Sequence, residues 1–223
     1  MKSNNLIMFD YDGVIVDSLQ VFTKNYIAAC QENGLQEIKS EQDVLSLFEN
    51  NVYKTLTQQG VTAATINGIL VSYERRQSDY LDKLKLFDGM ADALQRISLE
   101  NKVYIITSNL SEATESVLLR QGVTCVEEII GAEKEKSKIN KISKVMSRYK
   151  EWPAFYVGDT KGDMIEGKAV GATTIGVGWG WHSIEKLREG GADFIAQSPQ
   201  ELVSIISRYG RREEISGILD KYT

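Results

Sequence analysis

The chain has 223 residues, with 26 Lys+Arg against 31 Asp+Glu and a net charge of −5. A chain of that length buries roughly 70–75% of its unfolded surface, and a hydrophobic fraction of 42% with 26% charged residues excludes disorder and collagen-like repeats. An acidic chain without a basic block argues against nucleic acid or a membrane surface as partner, and the length suggests one domain, or one domain carrying an insert.

In chain order, short apolar, β-branched-rich runs recur at Leu6–Phe9, Val103–Thr107, Val126–Ile130, Ala154–Val157, Thr173–Val177 and Asp193–Ala196. Helical patterns separate most of them, which predicts an α/β fold with a doubly wound, Rossmann-like parallel sheet. Between the first two runs, from about Asp17 to Phe87, only helical spacing is found. Leu19, Phe22, Tyr26, Ile27 and Cys30 share one face, and Ser40-Glu41-Gln42-Asp43 reads as a capping box. Ile66, Ile69, Leu70, Tyr73, Tyr80, Leu81 and Leu84 predict one longer helix. The expected division is therefore 1–16 with 88–223 as the core and 17–87 as an inserted all-α module. Later, Ile139, Ile142, Val145, Met146 and Tyr149 keep helical spacing, and Ser198-Pro199-Gln200-Glu201 starts a C-terminal helix with Pro at its first position.

Cys30, Cys125 and the single histidine, His182, cannot supply a Cys/His zinc site. The two cysteines read as small buried hydrophobes. No run approaches the roughly 18 apolar residues of a membrane span, so a cytoplasmic protein is expected, as monomer or homodimer.

The chemistry lies at strand ends. Asp10 and Asp12, in Phe9-Asp10-Tyr11-Asp12-Gly13, follow the first run; Asp159 and Asp163, in Gly158-Asp159-Thr160-Lys161-Gly162-Asp163, follow the fourth. Ligands of open α/β sheets bind outside the carboxyl ends of the strands. Acidic strand ends aimed at one crevice repel each other unless a hard cation such as Mg²⁺ lies between them. Thr107-Ser108-Asn109 closes the second run, where a hydroxyl and backbone N–H groups could cradle a phosphate or simply cap a helix through Ser108, Asn109 or Ser111. Lys134, Lys136, Lys138, Lys141 and Lys144 form a cationic run of the kind usually found on a solvated face.

These ordered motifs resemble the haloacid dehalogenase superfamily, in particular its phosphoglycolate phosphatase-like branch with a helical cap. The likeness covers nearly the whole chain and includes Gly13-Val14-Ile15-Val16-Asp17-Ser18 and the Gly176–Trp181 segment. The resemblance implies Mg²⁺-dependent hydrolysis of a small phosphorylated metabolite, phosphoglycolate-like or a sugar phosphate. Asp10 would attack phosphorus and Asp12 would serve as acid and base. Thr107, Ser108 and Asn109 would hold phosphate. Mg²⁺ would be bound by Asp10, the Asp12 carbonyl and Asp159, with Asp163 binding it directly, through water, or orienting the lysine. The family lysine precedes a helix, often after Ser, which selects Lys138 ahead of Lys136, although the usual following Pro is missing.

Within that superfamily, Asp12 disfavours the dehalogenases and phosphonatases. Phe22 stands where the β-phosphoglucomutases carry a histidine. A phosphomutase or a non-catalytic phosphometabolite binder remain the alternatives. Trp179, Trp181 and His182 are expected to pack against the sheet edge, and Tyr73, Glu74, Arg75 and Arg76 to form a solvated helix face. The insert is expected to close over the crevice as a lid hinged near Asp17 and Asp88-Gly89.

Overall fold

The computed structural model describes residues 5–77 and 80–209; the segment after 210 lies outside the described residues. Six parallel strands, β1 (Leu6–Phe9), β2 (Lys102–Ile106), β3 (Glu128–Ile130), β4 (Ala154–Gly158), β5 (Thr173–Val177) and β6 (Phe194–Ala196), form one sheet in the order β3-β2-β1-β4-β5-β6. The order of strand addition reverses beside β1, so the crevice of this doubly wound sheet opens between β1 and β4. The expected fold class is the observed one.

Alternation along the strands decides what covers each face. Ile7 and Phe9 point into the larger core, with Val103, Ile105, Phe155 and Val157. Leu6 and Met8 point to the opposite side, with Tyr104, Ile106 and Tyr156. The first face is covered by helices α5 (Met90–Ser98) and α6 (Ser111–Arg120) and by α10 (Pro199–Tyr209); the second by α7 (Lys138–Met146) and α8 (Lys161–Ala169); α9 (Ile184–Glu189) leans on β5. Strands buried on both faces need continuous apolar runs, which makes them legible in the sequence.

Residues 17–87 carry four helices, α1 (Leu19–Glu32), α2 (Glu41–Leu47), α3 (Val52–Gln58) and α4 (Ala63–Gln77). The capping box at α2 is present: Ser40 accepts from the Asp43 N–H while Asp43 accepts from the Ser40 N–H. Two details differ from expectation. Helix α3, only seven residues long, is too short for its spacing to announce it. The long helix is described over Ala63–Gln77, and Leu81–Lys83 form a separate 3₁₀ turn. Tertiary bonds hold that turn apart: Arg120 donates to the Leu81 carbonyl at 2.7 Å, and the Tyr80 hydroxyl to that of Tyr73 at 2.6 Å. At the start of α10, Ser198 caps the Glu201 N–H, but Glu201 takes the N–H of Gln197 rather than that of Ser198.

The two chain crossings between insert and core pair with each other. Asp17 N–H donates to Lys85 O and Phe87 N–H to Ile15 O, both at 3.0 Å. Val16 and Leu86 form an antiparallel bridge between them.

Candidate active site

Register builds the site. Phe9 of β1 pairs with Val157 of β4 and with Ile105 of β2. The residues just beyond these strands, Asp10, Asp159 and Thr107, therefore leave the sheet side by side. Asp10, Asp159 and Asp163 come together, one carboxylate oxygen from each lying within 4.8 Å of the others. All three are buried.

Lys138 is the cation among them. Its ammonium lies 2.9 Å from Asp10 Oδ2 and 2.7 Å from Asp163 Oδ1. Ser137 caps the helix that Lys138 begins, aiming that first side chain at the strand ends. Lys134 and Lys136 are exposed, so of these three lysines Lys138 is the one that meets the acids. The remaining oxygen of Asp163 accepts from the Thr160 N–H and hydroxyl, closing a capping box at α8. Burial opposes the charge of Asp163, but Lys138 and Thr160 outweigh it and hold its pKa below the ordinary value. Burial instead pushes Asp10 up to about 7, against Lys138, with Asp163 adding repulsion. Asp159 is raised well above its ordinary value by burial and then by its two acidic neighbours.

Three buried acids and one ammonium leave negative charge uncompensated, which fits a divalent cation. Asp159 makes the fit specific: Oδ2 accepts from the Trp181 N–H at 2.8 Å, while Oδ1 is buried with no partner. A buried carboxylate oxygen left bare is costly, and a hard cation is the ligand that oxygen donors suit. Gly13 keeps the space open: its φ is +72°, and a Cβ there would lie 1.9 Å from Asp159 Oδ2.

Asp12 points elsewhere. Its Oδ2 accepts from Asn109 Nδ2 at 2.5 Å, and Asn109 Oδ1 accepts from Gln77 Nε2 at 2.8 Å. Burial raises the Asp12 pKa, with its hydrogen bonds opposing. The Asp12 carboxylate is thus no part of the acidic cluster. Asn109 does not cap α6, because the first N–H of that helix goes to Glu133. Thr107 is fully buried; its hydroxyl accepts the Asn109 N–H at 3.0 Å, and Ser108 and Asn109, rather than Thr107, line the cavity.

That cavity, about 90 Å³, has the carboxylates as its floor and the insert as its walls. Phe22 is the hub of the wall, with ring centroids 4.6 Å from Trp181, 5.2 Å from Tyr73 and 5.6 Å from Phe48. Trp181 therefore packs under the insert, not against the sheet edge, and Tyr73 belongs to the cavity instead of a solvated face. Arg75 and Arg76 do pair with Glu32 away from it. His182 is occupied at both nitrogens: Nδ1 accepts the Lys161 N–H at 3.0 Å, and Nε2 lies 3.0 Å from the Leu45 carbonyl of the insert. Insert and core are further joined by Asn51 to Glu166 at 2.9 Å, Lys186 to Glu49, and Gly162 N–H to Phe48 O at 3.0 Å. A Cβ at Gly162 would meet the Phe48 carbonyl at 2.9 Å, so glycine is what admits the insert backbone.

The sequence profile of the haloacid dehalogenase-like hydrolases matches residues 7–177. The chain belongs to the haloacid dehalogenase-like hydrolase family. It is 27% identical over 210 residues to a phosphoglycolate phosphatase of Synechococcus elongatus, covering 92% of this chain and 99% of that one. It is 22% identical over 209 residues to the pyrophosphatase PpaX of Listeria innocua, covering 90% and 95%. A haloacid dehalogenase-like hydrolase of Streptococcus pneumoniae superposes with a TM-score of 0.74 at 21% identity, over 92% of this chain and 100% of that one, a likeness of fold.

Three residues of this haloacid dehalogenase-like hydrolase escape sequence reasoning. Lys141 is fully buried and donates to the Thr107 carbonyl, so it is not on the solvated face expected for it. A signal for it exists: Lys138, Lys141, Ile142 and Val145 lie at i, i+3, i+4 and i+7, one face of α7. Gln77, the support of Asn109, and Trp181, the support of Asp159, carry no such signal.

Proposed function

We propose that this hydrolase is a Mg²⁺-dependent phosphatase acting on small phosphomonoesters. The observation carrying the reading is the separation of two carboxylates only two residues apart, Asp10 on Lys138 and Asp12 on Asn109. Asp10 and Asp159 would hold the metal, with the Asp12 carbonyl. Asp163 mainly holds Lys138, since both its oxygens already accept bonds. When bound, Mg²⁺ supplies charge neutralisation between the acids and the phosphate.

The Asp10 carboxylate attacks phosphorus, and the P–O bond to the alcohol breaks. Asp12, whose burial favours the protonated form, gives its proton to the departing oxygen. Asp12 then takes a proton from water, whose oxygen attacks phosphorus and returns Asp10 as carboxylate with inorganic phosphate released. Lys138 and the Ser108 and Asn109 loop offset the phosphate charge. Residues 17–87 act as a cap that excludes bulk water while the acyl phosphate exists. Against the mutase alternative stand Phe22, committed to the aromatic wall, and His182, committed at both nitrogens.

The test is a pair of variants assayed with Mg²⁺ on a panel of phosphomonoesters. Asp10→Asn should abolish turnover with the fold intact. Asp12→Asn should slow it by about 10²–10⁴-fold and retain label from ³²P-substrate on acid-quenched protein. Turnover surviving in Asp10→Asn would sink the covalent route.

A further inference from the structure

The cavity that receives the alcohol half of the substrate has a distinct chemistry. Above Asp10 and Asp12 its walls are mostly apolar, Phe22, Phe48, Leu56, Ile69 and Trp181 among them, with the rings of Tyr26, Tyr53 and Tyr73. Among the described residues, the only cationic side chain lining it is Lys138, already engaged by Asp10 and Asp163. Arg75 and Arg76, on the helix that carries Tyr73, are paired with Glu32 and do not line the cavity. A second anionic group on the substrate, such as a carboxylate or another phosphate, would enter this chamber without a counter-charge. Burying an unpaired charge against apolar walls is strongly unfavourable. An aromatic ring or branched alkyl group, by contrast, gains from leaving water there.

Volume limits the substrate's size: a cavity of about 90 Å³ has room for roughly six to nine waters at 10–15 Å³ each, shared between the phosphate on its floor and a small organic body above it. An adjoining recess of about 50 Å³ does contain Lys136, with Asn51 and Glu166. Among the described residues, it is the place where an anionic tail could find a further cation near the site.

Resting on the phosphatase reading, we propose that the preferred substrate is the phosphate monoester of an uncharged alcohol with an aromatic or branched apolar body. The substrates named by its relatives, phosphoglycolate and pyrophosphate, carry a second anionic group and are disfavoured here.

The experiment measures kcat/KM of the full-length protein with Mg²⁺ on benzyl phosphate, 2-phosphoglycolate and pyrophosphate. Benzyl phosphate should lead by at least about 10²-fold, the scale on which pocket contacts of a few carbons discriminate. Leu70→Arg and Val52→Arg place a cation at half-buried wall positions that allow the head to snorkel. Either should shift the benzyl phosphate to phosphoglycolate ratio toward phosphoglycolate by about tenfold or more. An active enzyme that prefers phosphoglycolate or pyrophosphate, with Lys136→Ala removing that preference, overturns the inference and leaves the phosphatase reading intact. Binding separates the two in the other direction. Asp10→Asn protein titrated calorimetrically should hold benzyl phosphate at least about tenfold tighter than inorganic phosphate, and equal affinities would overturn the inference whether or not the wild type turns over.

Discussion

Replacing Asp159 by Asn should raise the stability of the metal-free protein while destroying its response to Mg²⁺. In the wild type, Asp159 Oδ1 is buried without a partner and shares a 4.8 Å cluster with Asp10 and Asp163. An asparagine keeps an oxygen for the Trp181 N–H and puts an NH₂ where the bare oxygen was, turning repulsion into donation. Relieving one unsatisfied buried polar group is worth about 1–3 kcal/mol. For a chain of this size each kcal/mol moves Tm by about 2–4 °C, so differential scanning fluorimetry in EDTA should show the Asp159→Asn variant melting about 2–12 °C higher. Mg²⁺ at 100 times its Kd should stabilise the wild type by about 2.7 kcal/mol, a rise of about 5–11 °C, and should move the variant by less than about 1 °C. If the variant melts lower than wild type in EDTA and still gains several degrees with Mg²⁺, Asp159 is not a metal ligand and the cluster argument fails.

Lys138→Ala should reduce kcat/KM by about 10²–10³-fold, the loss expected for one preorganised electrostatic group, while the exposed Lys134→Ala changes it little. Gly13→Ala should fold but lose the Mg²⁺-induced rise in Tm, since its Cβ would occupy the space of Asp159 Oδ2. Lys141 carries a pH signature: burial, with Lys138 adding, pushes it down to about 8. Its unfolded value is about 10.4, so the unfolded chain binds the extra proton between those pH values and stability rises as pH rises through them. The gain is at most about 3 kcal/mol. Urea melts from pH 8 to 10.5 should show that gain in the wild type and not in Lys141→Met; identical slopes would refute it.

The sequence by itself determined the strands, because residues buried on both sheet faces must be apolar along the whole run. It picked out the acidic pairs Asp10/Asp12 and Asp159/Asp163 by type and spacing at strand ends, while the preference for Lys138 over Lys136 rests on the family resemblance alone. Local signals at Ser40 and Ser198 located two helix starts. Only the tertiary structure decided which way each acid points. The Asp12 carboxylate turns to Asn109, 97 residues away, while Asp163 stays in the acidic cluster and also takes Lys138, 25 residues away. It also decided which residues of the insert matter. Tyr73 and Trp181 meet through Phe22, and Gln77 reaches Asn109, across separations no periodicity can encode. Lys141 lies between the two cases: its place on an apolar helix face could be read, but charge argued for solvent until the Thr107 carbonyl supplied its partner.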